Sequence, residues 1–242
     1  MYYKEFKGNK ISTLGLGSLR LPAVPGDPNK IDREKARKVI DQAFASGINY
    51  FDAAYTYHKG DSERFLGEAL ARYPRDSYYL ASKFYVIANP DIEEVFEEQL
   101  RRCQTDYFDF YLIHSVQEHF MDQYMDPARD YIGYLLKQKA AGCIHYLGFS
   151  SHMAPEGLAR FLDWYPDFDM ALIQLNYLDW TLLDGKGQYD LLTKRGIPVW
   201  VMEPLKGGRL VHLNDQAEAI LNQAAPGQTI PSWSFRYLLG LP

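Results

Sequence analysis

The stretch Gly47-Ile-Asn-Tyr-Phe-Asp-Ala-Ala-Tyr-Thr-Tyr-His58 decides how the rest of the chain is read. A helical pattern stops at Gly47, and a short apolar run (Tyr50, Phe51, Ala53, Ala54) follows with Asp52 inside it. A carboxylate within a strand covered on both faces is costly unless a cation meets it. Five residues on, where the chain leaves the sheet, Tyr57 offers a phenol. The stretch therefore predicts a buried cation at the end of a neighbouring strand, paired with Asp52 and acting on Tyr57.

Working outward, the period alternates. Upstream, Ala36, Val39, Ile40, Ala43 and Phe44 repeat at helical spacing, with Asp32 placed to cap the start and Gly47 the end. Before that helix come a small hairpin (residues 2–6 and 10–13), a short strand at Leu14–Gly17 and a proline-rich loop from Pro22 to Pro28. Downstream, apolar runs end at Phe84, His114, Ser150, Asn176 and Pro204, separated by amphipathic segments. Counting Leu14–Gly17, seven strands alternate with helices at intervals of roughly 30 residues, the signature of a parallel sheet covered on both faces. A (β/α)8 TIM barrel fits this count better than an open sheet, since no G-x-G-x-x-G follows the first strand. The expectation is one α/β barrel domain over residues 1–242, preceded by a β-hairpin. Because Gly240-Leu-Pro242 falls where an eighth strand is due, the barrel is read as truncated after the seventh.

Composition narrows the function. The 242 residues carry a net charge of −5 and no Lys/Arg block, which argues against a nucleic-acid surface. No apolar run reaches the length of a membrane span, and the N-terminus does not read as a signal peptide. The two cysteines, Cys103 and Cys143, have no Cys or His at metal-ligand spacing, so neither a disulfide framework nor a metal site is indicated. The default reading is a reduced, cytoplasmic protein.

In such barrels the chemistry sits at the C-terminal strand ends. Asp52 and Tyr57 follow one strand, Lys83 ends the next and His114 the one after. A lone strand-end lysine is commonly a solvated rim charge, and a lone histidine commonly a satisfied core residue. Together the four interlock. A free tyrosine has a pKa of about 10; an adjacent ammonium stabilises the phenolate and lowers that value, while Asp52 keeps the ammonium charged. His114 can place a carbonyl over the phenol. This equipment protonates an oxygen on which negative charge develops, as when hydride reaches a carbonyl carbon.

Phe51-Asp-Ala-Ala-Tyr-Thr-Tyr-His-Lys-Gly-Asp-Ser-Glu63, Ala81-Ser-Lys-Phe84, Leu112-Ile-His114, Gly148-Phe-Ser-Ser-His152, Gln174-Leu-Asn-Tyr177 and Val201-Met-Glu-Pro-Leu-Lys-Gly-Gly208 together resemble the aldo-keto reductases over nearly the whole chain. The segments Tyr57–Glu63 and Met202–Gly208 look closest to a bacterial branch that often carries a C-terminal ferredoxin-like extension, whose clustered cysteines are absent here. The resemblance implies an NADP(H)-dependent reductase of aldehydes or ketones with Asp52, Tyr57, Lys83 and His114 as its tetrad and Tyr57 as general acid. It implies that Ser150, Ser151 and Gln174 hold the nicotinamide carboxamide, with Gly17, Ser18, Met202, Glu203, Leu205, Lys206, Gly207 and Gly208 also at the cofactor. Lys206 and Arg209 would meet the pyrophosphate. Many family members have Asn where this chain has Ser151, and an aromatic residue where it has Met202.

Two alternatives are a Schiff-base aldolase using Lys83 as nucleophile, and a nicotinamide-nucleotide-binding regulatory protein with little turnover. A metal-dependent hydrolase is disfavoured because the histidines do not form a spaced ligand set. The partner expected is a small-molecule carbonyl substrate, with no nucleic acid and no membrane.

Overall fold

The computed structural model describes residues 1–241. The chain forms two compact units, Met1–Ser115 with Phe120–Phe149, and Val116–His119 with residues 150–241.

The first unit opens with an antiparallel hairpin of β1 (Tyr3–Phe6) and β2 (Asn9–Ser12), then β3 (Leu16–Gly17). The stretch read as a proline loop is instead a second, two-stranded ribbon, β4 (Ala23–Val24) against β5 (Asp27–Ile31). Gly26, at φ +85°, makes the reversal between them, and a two-stranded ribbon has no inner strand for a proline to disrupt. Helix α1 (Arg33–Ala45) starts where Asp32 accepts a hydrogen bond from the Lys35 amide, and the chain turns out of it at Gly47, φ +86°.

From there the alternation is regular: β6 (Tyr50–Asp52), α2 (Asp61–Leu70), β7 (Tyr79–Phe84), α3 (Ile92–Cys103), β8 (Phe108–Val116), α4 (Met121–Tyr124), α5 (Tyr131–Ala140) and β9 (Ile144–Ser151). β3 pairs parallel with β6, β6 with β7, and β7 with β8. The register sets Gly17 beside Asp52 and Asp52 beside Ala81. Every residue from Leu80 to Phe84 is buried, Lys83 among them.

The second unit carries α6 (Pro155–Trp164), β10 (Met170–Gln174), α7 (Asp179–Leu182), α8 (Gly185–Lys194), β11 (Val199–Met202), α9 (Asp215–Ala224) and α10 (Ile230–Leu239). β10 and β11 pair parallel, with Gln174 opposite Met202. The helical stretch after β10 is broken in two at Leu183–Asp184, where Asp184 takes φ +47° and caps α8 by accepting from the Gly187 amide. Among the described residues no helix is long and apolar enough to cross a membrane.

Candidate active site

Four residues from three successive strands meet in the first unit. Asp52 is the last residue of β6, and Lys83 the last but one of β7. Lys83 is 1 % exposed, and its Nζ donates to Asp52 Oδ1 at 2.5 Å and to the Ala53 carbonyl at 2.6 Å. Burial disfavours its charge, but the carboxylate of Asp52, with Tyr57, outweighs that and holds the ammonium above the usual lysine range. Burial pushes the Asp52 carboxyl up against the pull of Lys83.

Tyr57 follows in a tight turn in which its amide donates to the Ala54 carbonyl. His58, Lys59 and Gly60 then take φ of +49°, +55° and +85° before α2 begins. That left-handed run reverses the chain within three residues and keeps the phenol close to Lys83, whose Nζ lies 5.0 Å from the ring centroid. His114, on β8, presents its ring edge to Tyr57 at 5.7 Å between centroids and 79° between planes. Its carbonyl accepts from the Tyr124 hydroxyl at 2.6 Å, and the Tyr85 ring lies 5.4 Å away.

One electrostatic expectation is corrected. Lys83 does draw the phenol pKa down, but burial is the larger effect and Asp52 adds to it, so Tyr57 sits above its ordinary value. Sequence alone does not show how deeply a phenol is buried. A raised pKa suits a proton donor: the proton stays on Tyr57 until negative charge appears beside it.

The other predicted residues divide. In the first unit Ser18 is buried, its hydroxyl donating to the Asp52 carbonyl at 2.8 Å and accepting from Ser62 Oγ at 2.6 Å, so its bonding is internal. A Cβ at Gly17 would meet nothing within 4 Å. In the second unit Ser150 and Ser151 are buried, and Ser151 Oγ accepts from the Met153 amide at 3.0 Å. Asp179, absent from the sequence reading, organises the rest: Gln174 Nε2 and Asn176 Nδ2 donate to its Oδ2 at 2.9 and 2.7 Å, and Lys206 Nζ donates to its Oδ1 at 2.5 Å. Asn176 Nδ2 also holds the Glu203 carbonyl at 3.1 Å. Burial raises the Asp179 carboxyl, but these donors outweigh it and hold it below the usual range, Lys206 most of all. Lys206 is thus bound to a carboxylate, and its spacing in the sequence gives no sign of that partner. Glu203, Lys206, Gly207 and Gly208 all take positive φ, and a Cβ at Gly208 would meet nothing within 4 Å. Leu205 and Met202 are half-buried beside them.

Comparison with known proteins identifies the family and the fold. A sequence profile described as "Aldo/keto reductase family" matches residues 13–237. A soybean (Glycine max) protein named probable aldo-keto reductase 1 is 27 % identical, covering 84 % of this chain and 58 % of its own length. The NADH-specific methylglyoxal reductase of Escherichia coli is 26 % identical over 83 % of this chain and 65 % of its own length. The chain therefore spans less than two thirds of these two curated relatives. Among solved structures, the thermostable aldo-keto reductase Tm1743 superposes with a TM-score of 0.81 at 23 % identity, covering all of this chain and 86 % of that one. The α/β alternation is thus that of the (β/α)8 reductase barrels, with seven parallel strands and the expected hairpin in front.

Proposed function

The chain belongs to the aldo/keto reductase family of oxidoreductases, and we propose that it reduces an aldehyde or ketone to the alcohol with NADPH, Tyr57 acting as general acid. The observation that carries this reading is the buried Lys83 ammonium, clamped by Asp52 and the Ala53 carbonyl, 5.0 Å from the Tyr57 ring. A substrate carbonyl oxygen accepts hydrogen bonds from the Tyr57 hydroxyl and the His114 imidazole, which fix its orientation. The reduced nicotinamide, when bound, supplies hydride to the carbonyl carbon. As charge develops on the oxygen, Tyr57 gives up its proton, and Lys83 stabilises the phenolate left behind. Asp52 keeps Lys83 charged throughout.

Residues of the second unit suit a nicotinamide nucleotide in part. The hydroxyl and amide donors of Ser150, Ser151 and Gln174 match a carboxamide, and the bare backbone at Gly208 admits a close-approaching phosphate. Met202 can cover an aromatic ring with its thioether. Lys206, held by Asp179, is assigned here to shaping Gln174 and not to the pyrophosphate. We assign residues 1–242 to one barrel-type domain acting on a small carbonyl compound in the cytoplasm. The Schiff-base alternative needs a neutral lysine, and Asp52 opposes that.

The test is Tyr57→Phe. With 4-nitrobenzaldehyde and NADPH or NADH, the variant is expected to lose at least about a hundredfold in kcat, while circular dichroism and nucleotide binding stay at wild-type values. Undiminished turnover would remove Tyr57 from the reaction.

A further inference from the structure

Beneath the tetrad lies a buried polar network that touches none of the reacting groups. Glu63, on the first turn of α2, is wholly buried. Its Oε1 accepts from Ser82 Oγ at 2.5 Å and from Gln99 Nε2 at 2.6 Å, and its Oε2 accepts from Arg102 Nη1 at 3.1 Å. An ionised carboxylate taken out of water is expensive, and an apolar residue at that place would avoid the cost. Its contacts indicate what it does. Ser82 precedes Lys83, and Gln99 Nε2 also donates to the Lys83 carbonyl at 3.1 Å. Arg102 reaches the other side, donating to the Tyr55 carbonyl at 3.3 Å and stacking over the Tyr55 ring at 4.5 Å. Its guanidinium also fills the space a Cβ on Gly60 would need, 2.8 Å from the Arg102 Cζ. Glu98 shares the guanidinium, accepting from Arg102 Nη2 at 2.6 Å and from the Tyr55 hydroxyl at 2.8 Å, but Glu63 is the carboxylate that links Arg102, and with it the start of the turn that carries the phenol, to the strand that carries the ammonium.

We propose that Glu63 is a positioning residue for carbonyl reduction, holding the Tyr55–Gly60 turn through Arg102 and the Lys83 backbone through Ser82 and Gln99. The proposal rests on the reductase reading above. Glu63 meets neither substrate nor cofactor in this assignment; it fixes the distance across which Lys83 acts on Tyr57. Small misplacements of catalytic groups cost orders of magnitude in rate, so the network governs turnover and not substrate affinity.

Glu63→Gln keeps an acceptor for Ser82 and Gln99 but turns an amide donor toward Arg102, uncoupling the turn from the Lys83 strand while Glu98 still holds the guanidinium. Ser82→Ala loosens the Lys83 side without leaving a bare charge, and serves where E63Q does not fold. Steady-state kinetics with 4-nitrobenzaldehyde and NADPH are expected to show kcat down at least tenfold and both KM values within twofold. Hydrogen exchange is expected to rise at amides 55–61 in E63Q and at amides 81–85 in S82A, with the rest of the chain protected as in the wild type. An unchanged kcat, or a loss confined to KM, overturns the positioning role. A wild-type chain with no turnover on either nucleotide overturns the reductase reading instead, and exchange alone then decides the tie: unchanged protection of both segments refutes it.

Discussion

Replacing Asp52 with Asn would leave a lysine ammonium buried without its counter-charge, and the size of the penalty follows from the surroundings of Lys83. Its side chain is 1 % exposed, and with Asp52 neutral it keeps uncharged acceptors such as the Ala53 carbonyl at 2.6 Å but no counter-charge. Breaking a buried pair by removing one partner costs about 3–5 kcal/mol. A second route caps the cost. The lysine can shed its proton, which at pH 7 takes about 1.36 × (10.4 − 7), or roughly 4.6 kcal/mol, relative to an unperturbed lysine in the unfolded chain. Both routes converge on a loss of about 4 kcal/mol at pH 7. The second also fixes a sign. In D52N the folded-state pKa of Lys83 lies below its unfolded value, so the unfolded chain binds more protons between the two, and stability rises with pH there. The wild-type lysine is shifted the other way by Asp52 and gains nothing over the same range. The gap between the two proteins is expected to narrow with rising pH, approaching about 1.4 kcal/mol per pH unit once Lys83 is neutral in the folded variant, and by about 2 kcal/mol between pH 7 and 9. Urea unfolding followed by far-ultraviolet circular dichroism at pH 7, 8 and 9 measures it. A gap below about 1 kcal/mol at pH 7, or one that stays constant to pH 9, would show that the pair is not the buried charge clamp described.

Gly60→Ala places a side chain at φ +85° against the Arg102 guanidinium; left-handed strain alone costs about 1–2 kcal/mol, and the midpoint of urea unfolding is expected to fall together with kcat. Lys206→Met removes a donor from the buried Asp179 and is expected to weaken nucleotide binding, read by tryptophan quenching, by freeing Gln174 to rotate. The Asp179 carboxyl is held below its unfolded value, so its stabilisation is present above about pH 4 and is lost as pH falls through the folded value. The stability difference between wild type and K206M is therefore expected to shrink on acidification, and a difference that grew toward pH 3 would reverse the assignment.

The strand ends were legible because each polar residue interrupts an apolar run: Asp52 between Phe51 and Ala53, Lys83 before Phe84, His114 after Ile113. The supporting network was legible in principle. Glu63 shares a helix face with Leu66, Gly67 and Leu70, and Gln99 with Val95, Phe96 and Cys103; a polar residue at the core-facing phase of a helix asks for a partner. The Asp179–Lys206 pair, 27 residues apart, with one residue opening the four-residue α7 and the other in the turn after β11, leaves no periodic trace. Nor does the Ala23–Ile31 ribbon, where prolines signal a loop and only the pairing of the two short strands makes it a sheet. The direction of the Tyr57 pKa depends on burial depth, a property of the assembled unit that no local pattern encodes.

The seclusion of Lys83 has a practical consequence for chemical probing. Acylating reagents that coat the surface amines need an unprotonated nitrogen within reach of solvent, and here neither condition holds. Its peptide should come through amine footprinting unlabelled, so that any tag acquired there reports the moment the sheet opens around it.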